Sequence, residues 1–224
     1  MIPLRDSTPG QSFPLVTVTI IAINLVIFFY ISQLNEAGAQ QLFYTLGLVP
    51  GYYSEYETVL LDYLPFLSSM FLHGSWMHVI SNMWILWLFG DNVEDHMGKL
   101  KFLLFYLLCG IIAALTHFII YPYSNVPVVG ASGAVAGIMG AYFIMFRHAS
   151  VLTFIPPFFL FNIPAWVYLG FWIISQFWGG TVDLFITESS EQIAFWAHVG
   201  GFAAGALLYR FFLRPQPALP QNDD

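Results

Sequence analysis

Charged side chains are scarce in this chain of 224 residues. Asp, Glu, Lys and Arg together make up 8% of it, against about 25% in a soluble domain. A water-soluble globule of that composition would lack the polar residues to cover its surface. A cytosolic enzyme and a disordered segment are therefore excluded. Basic residues are scarcer still: six Lys and Arg stand against thirteen Asp and Glu, for a net charge of −7. Without a basic patch there is nothing to hold a phosphate backbone, which excludes nucleic acid as a partner. The single cysteine, Cys109, excludes a disulfide framework and a multi-cysteine zinc site. Apolar residues are abundant, at 58%. The class that remains is an integral membrane protein with the lipid bilayer as its solvent.

A helix needs about 20 apolar residues to cross a bilayer. Six runs read as spans: 14–32, 76–90, 100–120, 132–146, 164–178 and 193–213. Arg5, Lys99, Lys101, Arg147, Arg210 and Arg214 are every basic residue in the chain. All fall on or beside the N-terminus, 91–99, 147–163 or the C-terminus. Glu36, Glu55, Glu57, Asp62, Asp183, Glu188 and Glu191 fall on the other side. The positive-inside rule then predicts both termini in the cytoplasm. The apolar stretch 59–72 contains Asp62 and Pro65 and is too short to cross. It reads as part of a long outer loop, 34–73, partly sunk into the outer leaflet. The expected fold is an all-α, six-helix polytopic membrane bundle. Its parts are a cytoplasmic segment, 1–13, a membrane domain, 14–213, and a flexible, proline-rich cytoplasmic tail, 214–224. The first run is too long for a signal peptide and no small-residue cleavage motif follows it. No targeting extension precedes it, so a bacterial cytoplasmic membrane is the expected location.

Ionisable and polar groups within spans are costly and mark functional sites. Three segments carry them: His73, His78, Ser81 and Asn82; Gly130, Ser132 and Gly133; and His198 with Gly201 and Gly205. A rise of 1.5 Å per residue places Ser132, His198 and His78 at roughly 8–10 Å below the outer surface. Asn82 lies one turn deeper, on the same helix face as His78. Three helices thus bring a serine, two histidines and an asparagine to one level. A serine hydroxyl needs a base to become a nucleophile, and a neutral imidazole suits that task. Attack on a peptide carbonyl creates an oxyanion that needs preplaced donors. The Asn82 amide, a ring N–H of His78 and the Ser132 N–H at a helix start qualify. No Asp or Glu sits within a span near His198, so a Ser–His dyad is expected. Gly130 and Gly133 admit close backbone approach. Gly201 and Gly205 are expected to pack the sixth span on the fourth and so set the Ser–His distance.

These motifs, His-x-x-x-x-His-x-x-x-Asn, Gly-x-Ser-Gly and Ala-His-x-x-Gly-x-x-x-Gly in this order, resemble those of the rhomboid intramembrane serine proteases, over about residues 12–213. The resemblance implies Ser132 as nucleophile and His198 as general base. It implies His78, Asn82 and the Ser132 N–H as the oxyanion hole. It further implies single-span membrane proteins as substrates, cut near the outer face, with no cofactor. The fifth span and the loop 179–191 would act as gate and cap. Two departures stand out. Many members have an aromatic residue four positions after the serine, packed on the catalytic histidine; here it is Ala136. The Trp-Arg pair common in the outer loop is also absent.

Other readings compete. Ser132 with Gly133 and Gly137 could be only a small-residue helix contact, and Asn82 an interhelical clasp. His73 is read as holding the outer loop, in support of the site. A three-histidine zinc site from His73, His78 and His198 lacks the His-Glu-x-x-His pattern, so no metal is expected. A transporter would show an inverted repeat, and none is evident. A proteolytically silent rhomboid-like protein that binds membrane helices is the principal alternative. The sequence does not fix an oligomeric state.

Overall fold

The computed structural model describes residues 1–185 and 193–215. The chain opens with strand β1 (Ile2–Asp6) and helix α1 (Leu15–Ser32). Next come α2 (Glu36–Leu46), α3 (Pro50–Glu55) and α4 (Pro65–Ser68), the last flanked by short 3₁₀ turns. The long helices α5 (Trp76–Met97) and α6 (Lys99–Ile120) and the shorter α7 (Ser132–Met145) follow. A hairpin of β2 (Ser150–Ile155) and β3 (Phe159–Pro164) leads to α8 (Ala165–Asp183) and α9 (Phe195–Phe212). Six of these helices fall on the six apolar runs. Two of them, α1 and α6, are uniformly apolar over a length that crosses a bilayer, each with a mean hydropathy of 2.4.

Helix α7 is the axis of the bundle: every residue from Gly133 to Tyr142 is buried. Its small residues let neighbours approach to backbone contact. A side chain at Gly201 would strike the carbonyl oxygen of Gly133, and one at Gly205 that of Gly137. One at Gly133 would strike Ala113 of α6. Glycine on α7 and α9 thus draws the two helices together. At the other side of the bundle, the buried carboxylate of Glu94 on α5 accepts from the Val16 and Thr17 N–H groups, at 3.0 and 2.8 Å, and from the Thr17 hydroxyl. Pro14, at the N-cap, has no side-chain acceptor. Glu94 therefore satisfies the free N–H groups of α1 and favours its helix dipole.

One expectation is corrected. The fold is mostly helical but not all-α, because β1, β2 and β3 form an antiparallel sheet in that order. The segment 147–163 is a hairpin, and 1–13 is tied into it through β1. The sheet gathers the basic segments at one end of the bundle. There Asn92 donates to Asp6 at 3.0 Å, Lys101 to the Leu213 carbonyl at 2.8 Å, and the Arg214 N–H to His96 at 2.9 Å.

The segment 34–73 is largely helical and is anchored without arginine. Leu48 pairs with Val128, and the Ser54 and Ser68 hydroxyls donate to the Pro122 and Leu46 carbonyls. Tyr53, Tyr63, Phe66 and Phe118 form an aromatic cluster beneath it. The Tyr53 hydroxyl donates to the Asp62 carbonyl at 2.6 Å. Glu188, Glu191, the end of the 179–191 loop and the tail beyond residue 215 lie outside the described residues.

Candidate active site

Ser132 is the first residue of α7. Its backbone N–H is among the four at a helix start with no intrahelical acceptor. The preceding turn depends on Gly130, whose φ of +130° lies where L side chains are strained. Its N–H donates to the Ser69 carbonyl at 2.9 Å. A Cβ there would stand 2.6 Å from Nε2 of His78. The absent side chain thus makes room for the imidazole to lie beside the serine turn.

His198 sits one turn into α9. Its Nε2 lies 2.8 Å from the Ser132 Oγ. Its Nδ1 donates to Oε1 of Gln176 on α8, also at 2.8 Å. A neutral imidazole that donates through Nδ1 has a free lone pair on Nε2, which accepts from the serine. The ring also faces Trp172, one turn before Gln176, with centroids 5.8 Å apart and planes 35° apart.

His73 and His78 flank the opposite wall. Ser75, between them, caps α5 by accepting from the His78 N–H at 3.2 Å. The two rings meet edge to face, 4.9 Å between centroids. His73 is fully buried. Its Nε2 accepts from the Asn82 amide at 3.2 Å and, at the long distance of 3.5 Å, from the Ala131 N–H. His73 thereby links α5 to the residue before Ser132, and one Asn82 amide hydrogen remains for the space in front of it. His78, Asn82, Ser132, Trp172, Gln176 and His198 line one cavity of about 480 Å³. The four polar residues expected at one level surround a single space.

Two residues escaped the reading of the sequence. Gln176 and Trp172, both on α8, are the side chains held against the His198 ring, and Ala136 is fully buried within α7. Their i, i+4 spacing on one face of the fifth span was the available signal. Among the described residues no three His, Cys, Asp or Glu side chains are grouped as metal ligands.

The sequence that builds this site has relatives among known proteins. The family model described as Rhomboid domain matches residues 61–215. Rhomboid-like protein 11, chloroplastic, of Arabidopsis thaliana is 40% identical over 73 residues, 33% of this chain and 26% of the relative. Rhomboid protein 1, mitochondrial, of Saccharomyces cerevisiae is 28% identical over 145 residues, 63% of this chain and 39% of the relative. Rhomboid protease GluP of Bacillus subtilis is 40% identical over 75 residues, 34% of this chain and 14% of the relative. The matches thus span well under half the length of these relatives. The family model, in contrast, extends over most of this sequence, from the end of the outer segment through α9, and the chain belongs to the rhomboid family.

Proposed function

We propose that the chain is an intramembrane serine endopeptidase that cleaves single-span membrane proteins near the outer membrane face. The observation that carries this is the 2.8 Å contact between the Ser132 hydroxyl and Nε2 of His198, made by two different helices within a cavity. His198 takes the hydroxyl proton as Oγ bonds to the substrate carbonyl carbon. The carbonyl oxygen, now negative, is met by the Asn82 amide, the His78 ring N–H and the Ser132 N–H. The imidazolium returns its proton to the leaving amine as the peptide bond breaks. A water molecule then attacks the acyl-serine, its proton passes to His198, and the serine is released. The cavity admits that water.

In this reading α1, α5, α6, α7, α8 and α9 each cross the bilayer, as a membrane domain over 14–213. The end bearing the basic residues, the sheet and both termini faces the cytoplasm. Residues 1–13 and 214–224 lie there, and Ser132 opens to the outer side. A bacterial cytoplasmic membrane fits this charge distribution, and transmembrane protein substrates reach the cavity from within the lipid. A silent relative that only binds helices would have no need of the Ser–His contact.

The test is turnover of a single-span model substrate by purified protein in liposomes. Ser132→Ala and His198→Ala should each lower kcat by about 10⁴-fold or more. Either variant cutting at the parent rate would overturn the proposal.

A further inference from the structure

The polar contact of His198 with α8 continues beyond Gln176. The Gln176 Nε2 donates to the Ser175 Oγ at 3.1 Å. The Ser175 hydroxyl in turn donates to the carbonyl of Trp172 at 2.6 Å. A carbonyl only accepts, so the Ser175 proton is committed to it and Oγ offers Gln176 a lone pair. The side of the Gln176 amide that meets this lone pair is the NH₂, and the oxygen is left to face His198. An amide oxygen only accepts, so the imidazole proton must be on Nδ1. Nε2 is then the acceptor of the Ser132 hydroxyl at 2.8 Å. One backbone carbonyl thus sets the direction of four successive hydrogen bonds, ending at the serine.

We propose that Gln176 is a positioning residue that fixes the tautomer and orientation of His198, with Ser175 fixing the direction of its amide. This rests on the reading of Ser132 and His198 as nucleophile and base. A third member that is neutral can orient the imidazole without placing a carboxylate within the bilayer, where a charge is costly. Trp172, Ser175 and Gln176 all belong to α8. The buried residues of that helix are Ala165, Tyr168 and Leu169 near its start and Gly180 near its end, so the turn that holds His198 lies between its two anchored ends. The orientation of the base therefore depends on where the middle of α8 rests against α9.

The experiment varies the polarity of residue 176 at nearly constant size, in full-length protein in liposomes with a single-span substrate. Gln176→Leu removes the acceptor and should lower kcat about 10–100-fold with KM changed little, the size of loss typical when a metal-ligating histidine loses its orienting partner. Gln176→Glu keeps an oxygen that accepts from Nδ1 and should retain more activity than Gln176→Leu. A packing role alone would reverse that order, since leucine fills the apolar part of the site better than a carboxylate. Ser175→Ala should lower kcat by a smaller factor, and Ser175→Thr should restore it. Gln176→Leu at the wild-type kcat, or Gln176→Glu no better than Gln176→Leu, would overturn the proposal. Ser175→Ala at the wild-type rate would overturn the directing role of Ser175. If Ser132→Ala is inactive while Gln176→Leu is unimpaired, the inference about Gln176 fails alone. If Ser132→Ala is active, the reading of the site fails first.

Discussion

Replacing Gly130 with alanine perturbs the proposed oxyanion site by a single methyl group. Two effects act together. First, a φ of +130° is strained for any residue with a Cβ, at about 1–3 kcal/mol. Second, the new Cβ would lie 2.6 Å from Nε2 and 2.7 Å from Cε1 of His78. Carbon contacts settle at roughly 3.5–4.0 Å, so the ring or the turn must retreat by about 1 Å. An oxyanion donor works only within about 2.7–3.1 Å of the developing charge. Misplacement by about 1 Å is expected to cost about 10²-fold. Gly130→Ala should therefore lower kcat for a single-span substrate about 10²-fold, with KM changed far less. The thermal midpoint should also fall, since the turn carries the strain. Gly74→Ala is the matched control, because nothing lies within 4 Å of its Cβ position and its backbone is not left-handed. It should leave kcat within about twofold of the parent. A Gly130→Ala enzyme that stays within about threefold of the parent kcat would refute the assignment of His78 to the reacting oxygen.

Asn82→Ala should lower kcat by about 10²-fold, the lower end of the range for loss of an oxyanion donor, because two other donors remain. Steady-state cleavage checks this, and an unchanged kcat would reduce Asn82 to a clasp for His73. Asp6, outside the membrane-spanning helices, gives a pH prediction. Burial raises its carboxyl above the ordinary range, while the Tyr142 hydroxyl, donating to it at 2.5 Å, opposes the shift. The native state then binds this proton more tightly than the unfolded state does. Its contribution to stability is complete at acid pH and is lost as pH rises through the raised carboxyl range. Asp6→Asn keeps an oxygen for Tyr142 and removes the titration. Thermal midpoints measured across pH should thus favour the variant increasingly as pH rises from about 4 toward neutrality. A difference between the two proteins that is independent of pH would contradict the raised carboxyl.

Much of the helical framework was legible because its signal is physical and local. The runs at 14–32, 100–120 and 132–146 meet α1, α6 and α7 to within a residue or two. The small residues that betray α7 as a helix–helix contact are those that bury it. The hairpin at 147–163 is invisible to the charge pattern, which reports only the side of the membrane on which that segment lies. Two aromatic and β-branched runs separated by Pro156 and Pro157 were the strand signal there. The pairing with β1 joins residues some 150 positions apart, which no local period encodes. At the site, the rise per residue fixes a depth on each helix separately, and Ser132, His78, Asn82 and His198 line one cavity. Gln176 could not be placed that way. Its meaning depends on the rotation of α8 about its own axis, which the neighbouring helices set and no charge boundary reports.

The most direct measurement is covalent labelling by a fluorophosphonate, followed by mass spectrometry of the modified peptide. The account predicts one adduct, on Ser132, formed by the parent protein and lost in His198→Ala, because the serine reacts only when the imidazole accepts its proton. Labelling of Ser132 at the parent rate in His198→Ala, or no label on Ser132 in a preparation that cleaves its substrate, would contradict it.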